Sequence, residues 1–137
     1  MLNATDRRAL RSVGLQFLVN GVVFASFIPR LPEIRTAIDV DLDRLGLLLT
    51  LGSLGGIAGS FLVSSVLSRF GTKRTMTVGA LGLAATLPVI GFSTNAPMFV
   101  AGLLVMQFFD VMTDMAMNMQ GSWLSGRRSV PVINRLH

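Results

Sequence analysis

Gln107, Asp110, Asp114 and Asn118 recur at i, i+3, i+7 and i+11 within a stretch made otherwise of apolar and small residues. At about 100° per residue on a helix, these four fall within an arc of roughly 80°, one polar stripe on one face. Two carboxylates about one turn apart, flanked by amides, can hold a proton or cation and hydrogen-bond a hydroxylated solute. Other chemistries lack their parts. The chain has no cysteine and its single histidine, His137, is the last residue, which excludes thiol nucleophiles, His-based triads, His-pair metal sites and zinc-knuckle spacing. No GxxxxGK[ST], strand-linked GxGxxG or HExxH run is present. Neither an enzyme nor a cofactor or metal is expected.

The elements that must position this stripe are membrane helices. Of 137 residues, 51% are hydrophobic and only 14% charged, and the mean hydropathy is +0.64. A soluble domain carries about a quarter charged residues to cover its core, so lipid must solvate much of this surface. Leu45 to Leu67 contains no charge over 23 positions and Thr75 to Phe109 none over 35. At 1.5 Å per residue the first of these spans about 34 Å, enough to cross a ~30 Å hydrocarbon core. The expected fold is all-α and polytopic, with four spans at about 12–30, 45–67, 76–92 and 97–119 and a cytoplasmic tail or loop over 120–137. The first span is expected to end at Pro29-Arg30-Leu31-Pro32, where two prolines discourage helix continuation. Leu31, Ile34 and Ile38 are spaced for a short helix at the membrane interface, and Asp41 or Asp43 is placed to cap the second span.

The charges then orient the spans. Arg7, Arg8 and Arg11 precede the first, Arg69, Lys73 and Arg74 follow the second, and Arg127, Arg128 and Arg135 follow the fourth. The turn from Gly91 to Pro97 carries no charge at all. This alternation places both termini in the cytoplasm. It also accounts for the net charge of +5 without invoking nucleic acid, which is not an expected partner. Arg7-Arg8 before an apolar run resembles a twin-arginine export signal, but three more hydrophobic spans follow with no A-x-A-like cleavage site.

Each span has its own character. Asp110 lies 13 residues past Pro97, near mid-membrane. An ionised carboxylate there costs at least ~2.5 kcal/mol on insertion scales, so it faces water, a cation or a proton rather than lipid. The alternative is a structural carboxylate, protonated or paired with a donor such as Asn20 on another helix. Gln16 and Asn20, at i and i+4 in the first span, share a face with Val23 and Phe27. The second span holds Gly46, Gly52, Gly55, Gly56 and Gly59, a surface for close helix contact. Met112, Met115 and Met119 read as adaptable packing rather than a soft-metal site.

Three segments resemble the major facilitator superfamily, specifically its bacterial sugar-permease-like members. Phe17 to Pro32 (FLVNGVVFASFIPRLP) is similar to that group's first helix, which ends in an arginine and a proline, here Arg30 and Pro32 as the outer-end motif. Ser68-Arg69-Phe70-Gly71-Thr72-Lys73-Arg74 resembles the D-R-x-G-R-[KR] loop between the second and third helices. Asp114-Met115-Ala116-Met117-Asn118-Met119-Gln120-Gly121 resembles the D-x-A-x-N-x-x-G run at the end of the fourth. Ser68 stands where the loop usually has its aspartate, which removes the acidic partner of that loop.

The resemblance implies a secondary active transporter in the bacterial inner membrane that moves a small solute by alternating access. It also implies twelve helices in two halves of inverted three-helix repeats, so this chain would be truncated to the first four and would not act alone. Its partners would be the lipid bilayer, a small-molecule solute, a proton as a further candidate, and the missing C-terminal helices. In that architecture the first helix of each repeat lines the cavity, which matches the polar positions of spans one and four. The expected binding residues are Asp114, Asp110, Asn118, Gln107, Asn20 and Gln16, with Arg69, Gly71, Lys73 and Arg74 forming a gating loop. Two other readings stay open: a complete four-helix dimeric small exporter, although the first span lacks the acidic residue such exporters carry, and a non-transport membrane assembly subunit.

Overall fold

The computed structural model describes residues 4–128. Five helices follow one another: α1 (Ala4–Phe27), α2 (Leu31–Ala37), α3 (Leu42–Gly52), α4 (Leu54–Gly91) and α5 (Ala96–Arg128). Within the described residues three stretches are long and apolar enough to cross a membrane: Arg11–Ala37, Leu42–Gly91 and Ala96–Trp123. The chain is thus an all-helical, multi-pass membrane protein.

Proline and glycine each mark a boundary. The first long helix, α1, ends at Phe27, just ahead of Pro29, and a separate short helix follows, as the prolines and the Leu31, Ile34, Ile38 spacing lead one to expect. The chain passes from α1 through a 3-10 turn, Ile28–Arg30, straight into α2. Each proline falls in the opening residues of its short segment, where the missing N–H has no intrahelical acceptor to lose. The stop of α2 comes at Asp39, whose φ of 53° lies in the left-handed region. Val40 N–H donates to the Arg35 carbonyl and Asp39 N–H to the Thr36 carbonyl, the paired bonds of a Schellman ending. The chain then restarts at Asp41, whose side chain accepts from Arg44 N–H at 2.7 Å and caps α3. Ile34 and Ile38 turn into the helical core rather than lying open at a surface.

The expected second and third spans correspond to two helical limbs of α4 that join directly at a break at Gly71. With φ 75° and ψ 160°, Gly71 is non-helical and separates the two limbs. Only glycine adopts that conformation without a Cβ clash. The two limbs of α4 meet α5 in opposite order. Ascending the first limb, Gly52 at the end of α3 lies against Leu103, Gly55 against the Leu104 backbone, and Gly59 against Phe108 and Val111. Along the second limb, Gly79 lies against Thr113, Gly82 against the Phe109 ring, and Ile90 against Gly102. Glycine is required at these crossings: a Cβ on Gly52 would stand 2.6 Å from the Leu103 Cβ, and one on Gly55 would strike the Leu104 carbonyl oxygen.

Two apolar clusters fill the interior. One joins Val23, Phe27, Ile34, Leu45, Leu83, Ile90, Phe99 and Met106, and the other joins Val63, Leu67, Met76, Met112, Ala116 and Met117. Large side chains also point outward in number, Phe61 81% and Phe92 73% exposed, as a lipid-solvated surface demands. Many hydroxyl groups bond within their own helix. Ser26, Thr50, Ser60, Thr75, Thr77 and Thr113 each donate to the carbonyl four residues earlier in their own helix.

Candidate functional site: a polar junction between two helices

On α1, Asn20 stands between Val23, in the first apolar cluster, and Phe17, which packs on the second. On α5, Asp110 stands between Met106 of the first cluster and Met112 of the second. The two polar residues face each other at this seam, and Asp114 is the charged neighbour of Asp110. One turn earlier on α1, Gln16 is buried at 8% exposure. Gln16 Nε2, Asn20 Oδ1 and Asp110 Oδ1 are buried without a hydrogen-bond partner among the described residues. Buried polar atoms are ordinarily satisfied, and these three cluster on the facing sides of α1 and α5.

The seam opens on one side. Asp114 and Asn20 line a cleft of about 600 Å³ whose wall is a strip of α1 that includes Gly14, Phe17, Gly21 and Ala25. The small residues of that strip leave the room. Asn118, one turn beyond Asp114, is half-buried. Gln107 is placed differently from the rest of its stripe, because its Cβ and backbone carbonyl lie against Gly56 of α4. Asp110, Asp114, Asn20 and Gln16 are therefore brought together, while Gln107 borders the neighbouring helix contact.

The basic turn and the outer-end residues lie apart from this seam. The Arg69 guanidinium stands 5.6 Å from the centroid of the Phe70 ring. Lys73 and Arg74 are exposed. Gln120 on α5 donates from Nε2 to Thr72 Oγ1 at 3.3 Å, tying the turn at Gly71 to the far end of α5. Sequence reasoning did not single out Gln120 or Thr72, although both lie inside the motif-like runs; a neutral amide and a hydroxyl carry no charge pattern to mark them. Arg30 pairs with Glu33 at 3.4 Å, an exposed contact, and its guanidinium also lies against Gly91, where an added Cβ would meet Nη1 at 3.2 Å. Pro32 contributes its carbonyl to the Thr36 hydroxyl at 3.0 Å. The tail residues 129–137, including Arg135 and His137, lie outside the described residues.

An all-helical membrane fold, a mid-span carboxylate pair and a glycine-centred basic turn define a class, and comparison with known proteins supplies its name. The chain belongs to the Major Facilitator Superfamily, whose family model matches residues 13–131. It is similar to the membrane protein MosC of Rhizobium meliloti, with 24% identity over 135 residues, covering 98% of this chain and 33% of that protein. It is also similar to the uncharacterized transporter y4wD of Sinorhizobium fredii, with 22% identity over 127 residues, covering 93% of this chain and 34% of that protein. The chain thus spans about a third of the length of the curated relatives it matches. No solved structure matches it significantly.

Proposed function

We propose that this chain is the N-terminal part of a secondary active transporter that moves a small solute across the bacterial inner membrane by alternating access. The observation that carries this reading is the Asn20–Asp110 junction opening through Asp114 into a cleft. Polar and ionisable groups at membrane depth are expensive and are kept where they serve a solute, an ion or a proton. Asp114 is the leading binding residue, with Asp110, Asn20 and Gln16 around it and Asn118 extending the polar surface. Gln107 supports the stripe from the α4 side. A proton is the proposed coupling partner because two neighbouring carboxylates can share one. Arg69, Gly71, Lys73 and Arg74 form the proposed gating turn, and Arg30 with Pro32 the outer end.

The apolar segments are proposed to make four passes, with both termini cytoplasmic. The opposite order in which the two limbs of α4 meet α5 supports a reversal at Gly71, and the basic residues of that turn support a cytoplasmic position. Four passes give one inverted-repeat unit plus the first helix of the next, so the opposing cavity wall would come from further helices. The coverage of only a third of each relative supports that incompleteness.

The test begins with the coding DNA beyond His137, which should encode further hydrophobic spans. The complete product is then expressed in a sugar-transport-deficient bacterium and offered a panel of labelled sugars. Accumulation of one of them, abolished by Asp114→Asn at unchanged membrane abundance, is the expected result. Uptake at the unaltered rate in Asp114→Asn would sink the site assignment.

A further inference from the structure

A second concavity lies between the two limbs of α4 and the middle of α5, away from the Asn20–Asp110 seam. It encloses about 550 Å³ and is walled by Val66, Phe70, Val78, Phe108, Phe109 and Met112, with Lys73 and Arg74 on its rim. The contrast between wall and rim is the informative feature. The wall is apolar, and the rim carries two exposed cations. Arg69 adds a third within the same turn, and among the described residues no carboxylate pairs with any of them; the one ion pair is Arg30–Glu33. The sequence explains why, since no acidic residue occurs between Asp43 and Asp110 and Ser68 occupies the position where the resembling loop motif has its aspartate. Among the described residues the cations of this turn are therefore uncompensated.

We propose that this groove is a binding site for one anionic phospholipid. Its phosphate sits between Lys73 and Arg74, and the first part of an acyl chain lies along Val66, Val78 and Met112. The geometry suits that occupant. From Arg74 to Gly79, which packs on Thr113, α4 descends about 8 Å, so the groove runs from headgroup level into the hydrocarbon. A neutral protein helix would leave the rim charges unpaired, and a soluble anion would leave the apolar wall unfilled. A phospholipid answers both. The inference rests on the reading that Gly71 turns the chain at the membrane surface.

The test is native mass spectrometry of the whole chain released from detergent, with phosphatidylglycerol and phosphatidylcholine of matched acyl chains as probes. Retention of one phosphatidylglycerol per chain should exceed that of phosphatidylcholine by about thirtyfold, roughly fivefold per cation. Lys73→Gln with Arg74→Gln should remove that preference. Val78→Trp, a substitution at an exposed wall position that fills the groove, should reduce retention of both lipids while leaving the helical content by circular dichroism unchanged. Equal retention of the two lipids by the unaltered chain overturns the proposal without any variant. A preference that survives Val78→Trp overturns it as well, since it would reflect surface charge alone. Displacement of the lipid by a second copy at higher protein concentration would assign the groove to self-association instead. Labelling of Ser68→Cys by a thiol reagent confined to the cytoplasmic side separates a wrong topology from a wrong ligand.

Discussion

The Asn20 amide on α1 meets the Asp110 carboxyl on α5 at the seam between the two apolar clusters. The meeting joins the first and last described helices through a polar contact at a depth where most side chains are apolar. A single hydrogen bond between membrane helices is worth about 0.6 kcal/mol on average and at most about 1.7. Its structural share is therefore small, and the neighbouring Gln16 Nε2 and Asp110 Oδ1 remain open for other partners.

Asn20→Leu should accordingly lower stability against unfolding in mixed micelles by about 0.6 kcal/mol and by no more than about 1.7. In the complete transporter it should reduce transport more strongly than that loss of stability explains. Titration with denaturing detergent, followed by circular dichroism, measures the first quantity and initial uptake rates the second. A variant with unaltered uptake would make Asn20 a packing residue.

Asp114→Asn and Asp110→Asn in the complete protein should each lower transport, by roughly tenfold to a hundredfold for the loss of a charge-assisted hydrogen bond. Asp114→Asn should have the larger effect because Asp114 lines the cleft. Rates measured between acidic and alkaline pH should lose their pH dependence in at least one variant. Normal rate and pH profile in both would show the stripe to be structural.

Gly55→Leu should prevent α4 from approaching α5, since even a Cβ meets the Leu104 carbonyl. Overpacking of this kind costs about 1–3 kcal/mol or more. Gly46→Ala and Gly21→Ala should be close to neutral, because a Cβ at either position meets nothing within 4 Å. Melting of the three variants in one detergent provides the comparison, and equal destabilisation by Gly21→Ala and Gly55→Leu would contradict the described contacts.

Single cysteines at Ala37 and Asn95 should react with an impermeant thiol reagent added outside intact cells, and one at Ser129, outside the described residues, should not. The chain has no native cysteine to confuse the result. Labelling at Ser129 alone would reverse the proposed topology.

The membrane class and the polar stripe were legible because both rest on long-range regularities: uncharged runs and helical spacing. The Asn20 partner of Asp110 was also within reach, since few polar side chains occupy the spans and those present must find each other. The boundaries were harder to read. Pro29 and Pro32 do mark the end of α1 at Phe27, but the 3-10 turn that carries the chain directly into α2 is set by local geometry that composition does not specify. Asp39 as the terminator of α2 carried no signal, because an aspartate enters the left-handed region only when its surroundings require it. Gln107 had the right spacing for the stripe but borders it, since a ~100° periodicity says nothing of which helix lies opposite.

The self-bonded hydroxyls of these helices bear on how the protein is made. A segment whose serines and threonines donate to their own carbonyls can leave the ribosome and enter lipid before any neighbour exists. α5 is the exception, because Asp110 needs a polar companion that its own helix does not provide. That companion, Asn20, is synthesised first and is already in the bilayer when α5 emerges. Chain order therefore favours assembly: α5 reaches the bilayer after the helix that carries its polar companion, to a berth already prepared.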